Sequence, residues 1–420
     1  MKAVALFVVC SVALAAAADN TFILRGVTVH PVTAPKMENV SLLVRDGRIA
    51  EIGPKIATGK DVREIQAKGL HVYPGMINSA TAVGLSEIGS VRETTDTTEL
   101  GDFNPQLRAS VAVNPASEHI PVTRANGITA VITAPEGSVI SGQASLIRLD
   151  GWTWEEMEIR RSAGLELNFP VLRTRSSGFP PGPPVKYEEA RRRHEAKLRE
   201  LHDFFEQARR YQRAKAQSGS YFKTDLKFEA MLPVLENTLP VVIRASRERE
   251  IKEALAFAEK EKIRVILAGV EEIGGAVEEL RKRKISVILG RTFRLPSQMD
   301  DPYDEPYTLP ARLHAAGVKF AFGTFDTQFA RNLPFQAANA VAFGLPYEKA
   351  LEAVTIGAAE IWGVAGEIGS IEKGKSADLI LTDGDPLEAR TQIKQMFVKG
   401  RSVDLQTKHT RLYEKYLNRP

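Results

Sequence analysis

The sequence predicts an α/β fold, an eight-stranded β/α barrel of the TIM type joined to a small β-sandwich built from the N- and C-terminal segments. Three observations predict it. Through the middle of the chain, short apolar runs alternate with amphipathic helical stretches, the pattern of repeated βα units and a parallel sheet. Both ends instead carry short β segments punctuated by glycine. No Gly-rich phosphate loop follows the first strand of the middle region, which argues against a doubly wound sheet. At 420 residues the chain suits one large domain and a minor one.

At the N-terminal end, residues 22–32 and 41–54 read as β segments. Asp46-Gly47 supplies a hairpin turn between strands, because both central positions of a type I′ turn need positive φ. At the other end, residues 369–383 read as a strand pair and 396–403 as one more strand. Barrel strands are expected at 72–77, 128–133, 239–245, 264–268, 285–289 and 318–323, with helices at 248–262 and 272–284. The chain thus divides into a sandwich part at 19–72, a barrel at 73–366, a second sandwich part at 367–403 and a tail at 404–420. Inside the barrel region, Gly178-Phe-Pro-Pro-Gly-Pro-Pro184 excludes regular structure. A long helix dense in Arg, Glu and Lys follows at 186–217. Its charges are mixed in sign, so a solvated flank or lid is expected rather than a binding surface.

Residues 1–18 read as an export signal: Lys2 near the start, an apolar run at 3–15, then Ala16, Ala17 and Ala18 for cleavage. The run is too short to span a bilayer, and no later stretch is apolar enough. A periplasmic or secreted location is expected. The single cysteine, Cys10, falls inside the signal, so the mature chain is expected to have no disulfide, thiolate ligand or cysteine nucleophile. The formal charge of +4 is slight, and no basic block is interleaved with aromatics, so nucleic acid is not an expected partner. The expected partner is a small-molecule ligand or substrate. A homo-oligomer is compatible with these residues, but no interface is legible in them.

Three stretches resemble the amidohydrolase superfamily, most closely its imidazolonepropionase-like and prolidase-like secreted branch. The first is LLVRDGRIAEIGP at 42–54 followed by VYPGMIN at 72–78. The second is GVKFAFGTFDTQFARNLPFQAANAVAFGLPYEKALEAVTIGAAEIWGV at 317–364. The third is GEIGSIEKGKSADLILTDGDPLE at 366–388. The resemblance covers most of residues 21–403. It implies a hydrolase of carbon–nitrogen bonds other than peptide bonds, with one or two divalent ions, zinc foremost, at the C-terminal mouth of the barrel. Such an ion lowers the pKa of a bound water, and an aspartate after the last strand ligates it and shuttles the proton.

Carried over residue by residue, the resemblance places the first-strand histidine pair on Ala80 and Ala82, and the acid before them on Asn78. Later histidine positions fall on Arg244 or Ser246 and on Ala268 or Gly269. Asp326 alone stays near a ligand position and is the candidate catalytic residue. The residues themselves therefore lead us to expect no metal cofactor, although the resemblance implies zinc.

Arg244, Asn78 and Trp152 form the candidate substrate-binding set. Arg244 either grips a small anion bidentately or pairs with an acid in the space a metal would take. Asp326 is either a remnant general base or the cap of a following helix. Trp152, with Trp154, either stacks on a substrate ring or packs within its own loop. None of the seven histidines pair with ligand spacing; His119 is the one loop histidine that could join a rearranged metal site with Glu87 and Asp326. A carboxylate cluster drawn from Glu87, Asp96 and Asp326 would favour magnesium or calcium. No Gly-x-Ser-x-Gly elbow is present. Two functions follow as expectations: a superfamily hydrolase with a lost or rearranged metal site, or a non-catalytic exported binding or partner protein that recognises a small anion through Arg244.

Overall fold

A computed structural model describes residues 20–59, 62–137, 139–174, 183–217, 222–296 and 301–419. The expected export signal at 1–18 and residues 178–182 of the Pro/Gly run lie outside the described residues. Among the described residues, no helix is long and apolar enough to cross a membrane.

Five strands open the chain: β1 (Phe22–Val29), β2 (Met37–Arg45), β3 (Arg48–Gly53), β4 (Arg63–Gln66) and β5 (His71–Pro74). Eight follow in the middle: β6 (Met76–Thr81), β7 (Ile128–Thr133), β8 (Ile140–Arg148), β9 (Glu158–Asn168), β10 (Val241–Arg244), β11 (Val265–Val270), β12 (Ser286–Leu289) and β13 (Phe320–Phe322). Three close it: β14 (Leu379–Thr382), β15 (Ile393–Val398) and β16 (Arg401–Val403).

The two ends share one sheet, in the order β16-β15-β14-β5-β1-β2-β3 with β4 beside β1. Its inner face is apolar, and the stacked rings of Phe22 and Phe397, 4.3 Å apart, join the N- and C-terminal halves directly. Such a pair adds about 1 kcal/mol beyond the area it buries. Asp46 and Gly47 both take positive φ, as the type I′ turn requires. A Cβ on Gly47 would stand 2.4 Å from the Lys399 carbonyl, so glycine also lets the C-terminal turn approach.

The remaining strands form the barrel, in the order β13-β12-β11-β10-β9-β8-β7-β6. It closes where the Thr324 and Phe325 amides donate to the Ala80 carbonyl at 3.1 and 2.8 Å. Alternate residues of the strands fill the interior. Val242 joins Ile77, Ile132, Leu146, Ile266 and Ile288 there, while Val241 and Ile243 face the surrounding helices.

Three details differ from the sequence reading. The expected strand at 72–77 is two strands in two sheets, parted at Gly75, where any Cβ would lie 2.1 Å from the Thr129 side chain. Of the strand pair expected at 369–383, only β14 forms; the polar run before it makes turns instead. And β8 runs antiparallel to both neighbours. The connection from β7 to β8 is too short for a parallel crossover, which needs a dozen or more residues. A hairpin is the only way back.

The long helix Tyr187–Gln217 buries Ala190, His194, Leu201, Phe204, Phe205 and Ala208 and turns most of its charged residues outward. His194 meets Glu253 at 3.2 Å, and Arg209 pairs with Glu261, both on the helix Glu248–Glu261. It is a flank of the barrel. The seam between barrel and sandwich is held by Arg148, 2% exposed, which reaches Asp378 at 3.3 Å and Glu367 at 2.7 Å.

Candidate functional site

The C-terminal ends of the parallel strands define the barrel mouth, and its centre is filled by protein. Ala80 from β6 and Ala268 from β11 present methyl groups within the interior cluster. Phe325 sits in the same cluster with a backbone φ of +48°, a left-handed conformation that costs an aromatic residue about 1 kcal/mol or more. The absence of a side chain at Gly323 makes room for it: a Cβ there would stand 2.9 Å from both Ala80 Cβ and the Phe325 ring. The Arg244 guanidinium lies 5.5 Å from the Phe325 ring centre, and its Nε donates to Glu166 Oε2 at 3.0 Å. Glu166 is fully buried; burial pushes its carboxyl upward, Arg244 pulls it down, and nearby Glu136 adds a smaller upward push.

More arginine–carboxylate pairs ring the mouth. Arg291 approaches Asp326 at 3.5 Å, Arg294 approaches Glu271 at 3.6 Å, and Arg247 lies 4.0 Å from Glu272.

Beside this plugged centre opens a cleft of about 670 Å³, lined by Ala82, Glu87, His119, Glu136, Asp326 and Arg331, and by Lys408 and His409 of the C-terminal helix. Its size suits a small molecule. His119 starts the short helix His119–Arg124 rather than lying in a loop, and its Nε2 donates to the Glu87 carbonyl at 2.8 Å. Glu87 Oε1 is buried with no hydrogen-bond partner.

The structure separates the three residues read as substrate-binding. Asn78 is wholly buried; its Nδ2 donates to Thr324 Oγ1 at 2.9 Å and its Oδ1 accepts from the Thr324 amide at 3.1 Å, so it pins the barrel closure. Trp152 is 88% exposed in the loop after β8, at the end of the barrel opposite the mouth, because β8 is inverted. It lines a separate cleft with Asp150 and Arg401. Arg244 alone of the three stands at the mouth, where Glu166 engages it. Asp326 does line the cleft, with Glu87 and His119, and its Oδ1 accepts from the Phe329 amide at 2.8 Å, capping the turn Ala330–Asn332. Asp96 lines a neighbouring cleft instead.

Sequence reasoning missed Glu166 and the basic side of the cleft. Asn168 pairs with Arg244 across β9 and β10, so Glu166, two residues before Asn168, shares Arg244's face; with no strand expected there, the sequence carried no signal for it. Nothing local marks Lys408 or His409, which arrive from the tail by a tertiary path.

A closed α/β barrel, a composite sandwich and a cleft at the C-terminal mouth define the class of a barrel-hydrolase scaffold. The family model of the amidohydrolase family matches residues 306–404, from the helix Glu305–Ala315 before β13 to just past β16. Amidohydrolase tasK of Hapsidospora irregularis is 22% identical over 396 residues, covering 86% of this chain and 39% of that protein. The chain thus spans well under half the length of that relative. An amidohydrolase from Thermotoga maritima MSB8 superimposes with a TM-score of 0.79 at 24% identity, covering 91% of this chain and 99% of the other. A prolidase complexed with N-methylphosphonate-L-proline shares the fold at a TM-score of 0.56 and 17% identity, over 92% of this chain and all of the other. The C-terminal part of the chain thus matches the amidohydrolase family model, and the whole described chain shares the fold of amidohydrolase structures.

Proteins of the amidohydrolase family usually hold a divalent metal, and the residues at the centre of the mouth do not fit one. The positions facing the centre of the mouth offer methyl groups, a phenyl ring and a guanidinium, none of which ligates a dication. The positive charge of Arg244 would further oppose an ion beside it. Among the described residues, no group of three or more His, Cys, Asp or Glu is placed to hold a metal ion.

Proposed function

We propose that this protein is a metal-independent, non-hydrolytic member of its superfamily that binds a small molecule in the cleft beside the plugged mouth. One observation carries the reading: Phe325 and the Arg244–Glu166 pair occupy the centre of the mouth, where water would have to be activated. Without a Lewis acid, the largest source of transition-state stabilisation for amide hydrolysis is missing. Arg244 is already engaged by Glu166, so ligand recognition moves from Arg244 to the side chains of the cleft. Export, as the N-terminal residues suggest, would place the binding protein outside the cytoplasm; cell fractionation tests it.

The test is an assay of the full chain against cyclic amides, N-acyl amino acids and dipeptides, with and without added zinc or manganese. The expected result is no turnover above buffer. Metal-dependent turnover abolished by Asp326→Asn would overturn the reading. That outcome would favour a second reading, a hydrolase of carbon–nitrogen bonds with a rearranged site. The observation favouring it is that Glu87, His119 and Asp326 share one cleft, with Glu87 Oε1 buried and unpartnered.

A further inference from the structure

We infer that the cleft takes a compact zwitterion, a small molecule with a carboxylate and an ammonium group as in a free amino acid, and that Lys408 of the C-terminal helix helps select its carboxylate. This rests on the binding-protein reading and adds the class of ligand.

The cleft has two electrostatic sides. Glu87 and Glu136 supply negative charge, and Arg331 and Lys408 supply positive charge. Asp326 is already engaged by Arg291 and the Phe329 amide. By contrast, neither Glu87 nor Glu136 forms an ion pair among the described residues, and the Lys408 ammonium likewise meets no acid there. Opposite charges that face one cleft without reaching each other leave both signs available. A ligand carrying one of each satisfies both at once; a simple anion or cation satisfies one and meets repulsion from the other.

The basic side is built, and it depends on the tail. Arg331 Nη1 and His409 Nε2 are 3.2 Å apart, which docks the start of the C-terminal helix beside the cleft. Arg411 on the same helix donates to both oxygens of Glu118 at 3.0 and 3.1 Å, next to His119. Thr407 caps the helix Lys408–Leu417, with its hydroxyl accepting from the Thr410 amide. On the acidic side, His119 Nε2 holds the Glu87 carbonyl, and the Glu87 amide donates to the Thr94 carbonyl at 3.0 Å. The backbone of Glu87 is therefore fixed, while Oε1 waits buried without a donor. Ile88, 55% exposed at the rim, gives an apolar surface for the ligand's remaining atoms.

The experiment is isothermal titration of the full chain with each protein-forming amino acid, its N-acetyl derivative and its decarboxylated amine. At least one free amino acid should bind, with both single-charge counterparts weaker by about tenfold or more. Lys408→Glu and Glu87→Gln should each weaken the free amino acid by a similar factor; both positions lie outside the packed core, so the fold should survive. No binding by any free amino acid, equal binding of the N-acetyl or amine form, or no effect of either substitution would overturn the inference. Metal content measured on the same sample separates the two proposals. Stoichiometric metal with zwitterion selectivity intact would sink only the metal-free reading, and absence of both metal and binding would sink only this one.

Discussion

Arg244 shows how one side chain shapes a site. A guanidinium in the barrel mouth needs a counter-charge, and Glu166, buried beneath it, supplies one at 3.0 Å. Removing one partner of a buried pair costs more than the pair contributes, because the other charge is stranded. Arg244→Met should therefore lower stability at pH 7 by about 2–3 kcal/mol, below the usual range for fully buried pairs because Arg244 keeps some exposure. The pH dependence has a definite sign. Burial raises the Glu166 carboxyl in the folded state, so its favourable contribution is present at low pH and lost as pH rises through the folded value. The deficit of the variant should shrink from pH 7 to pH 5 in urea denaturation; a deficit independent of pH would contradict the assignment. Asn78 is a second case: Asn78→Ala removes its hydrogen bonds to Thr324 and to the Ala330 carbonyl at the barrel closure and should cost about 2 kcal/mol by the same measurement.

At the scale of elements, the inverted strand β8 and the seam strands matter most. His30, after β1, stands 2.9 Å from His71 of β5 and stacks on Tyr73 at 4.1 Å. Burial, His71 and Lys36 push it down to about 4, against smaller upward pulls from Asp385 and Glu38. A histidine with a depressed folded value stabilises the fold at neutral pH and loses that contribution as pH falls from about 6.5 towards 4. Melting temperature should thus drop across that window, and His30→Asn should flatten the drop; an unchanged slope in the variant would refute it. The ends and the βα units were legible because strand patterns, the Asp46-Gly47 turn and the helix periodicity are local signals. β8 and β9 were not, since no strand was expected at either, and the inversion of β8 puts Trp152 at the end opposite the mouth. Of the site, the sequence marked Asp326 and Ala82, which line the cleft, and Ala80, which lies in the barrel interior. What fills the centre of the mouth was not legible, because Glu166 and Phe325 meet Arg244 only through the closed sheet.

For the whole molecule, the barrel and sandwich meet at a seam where Ile380, Met396 and Val398 pack with Met76 and Ile128 beside a buried charge network. Arg148 is the link, with Asp378 5% exposed beneath it and Glu367 at its other end. Arg148→Met should cost about 3 kcal/mol and split the calorimetric transition into two; a single unchanged transition would show that the seam rests on apolar packing alone. At the opposite end of the same scaffold, the proposed function has Phe325 and the Arg244–Glu166 pair filling the place where a metal would act. Zinc titration of the full chain, followed by heat, tests this most directly. The account predicts no site tighter than about 10 μM. One stoichiometric site of nanomolar affinity, lost in Asp326→Asn, would contradict it.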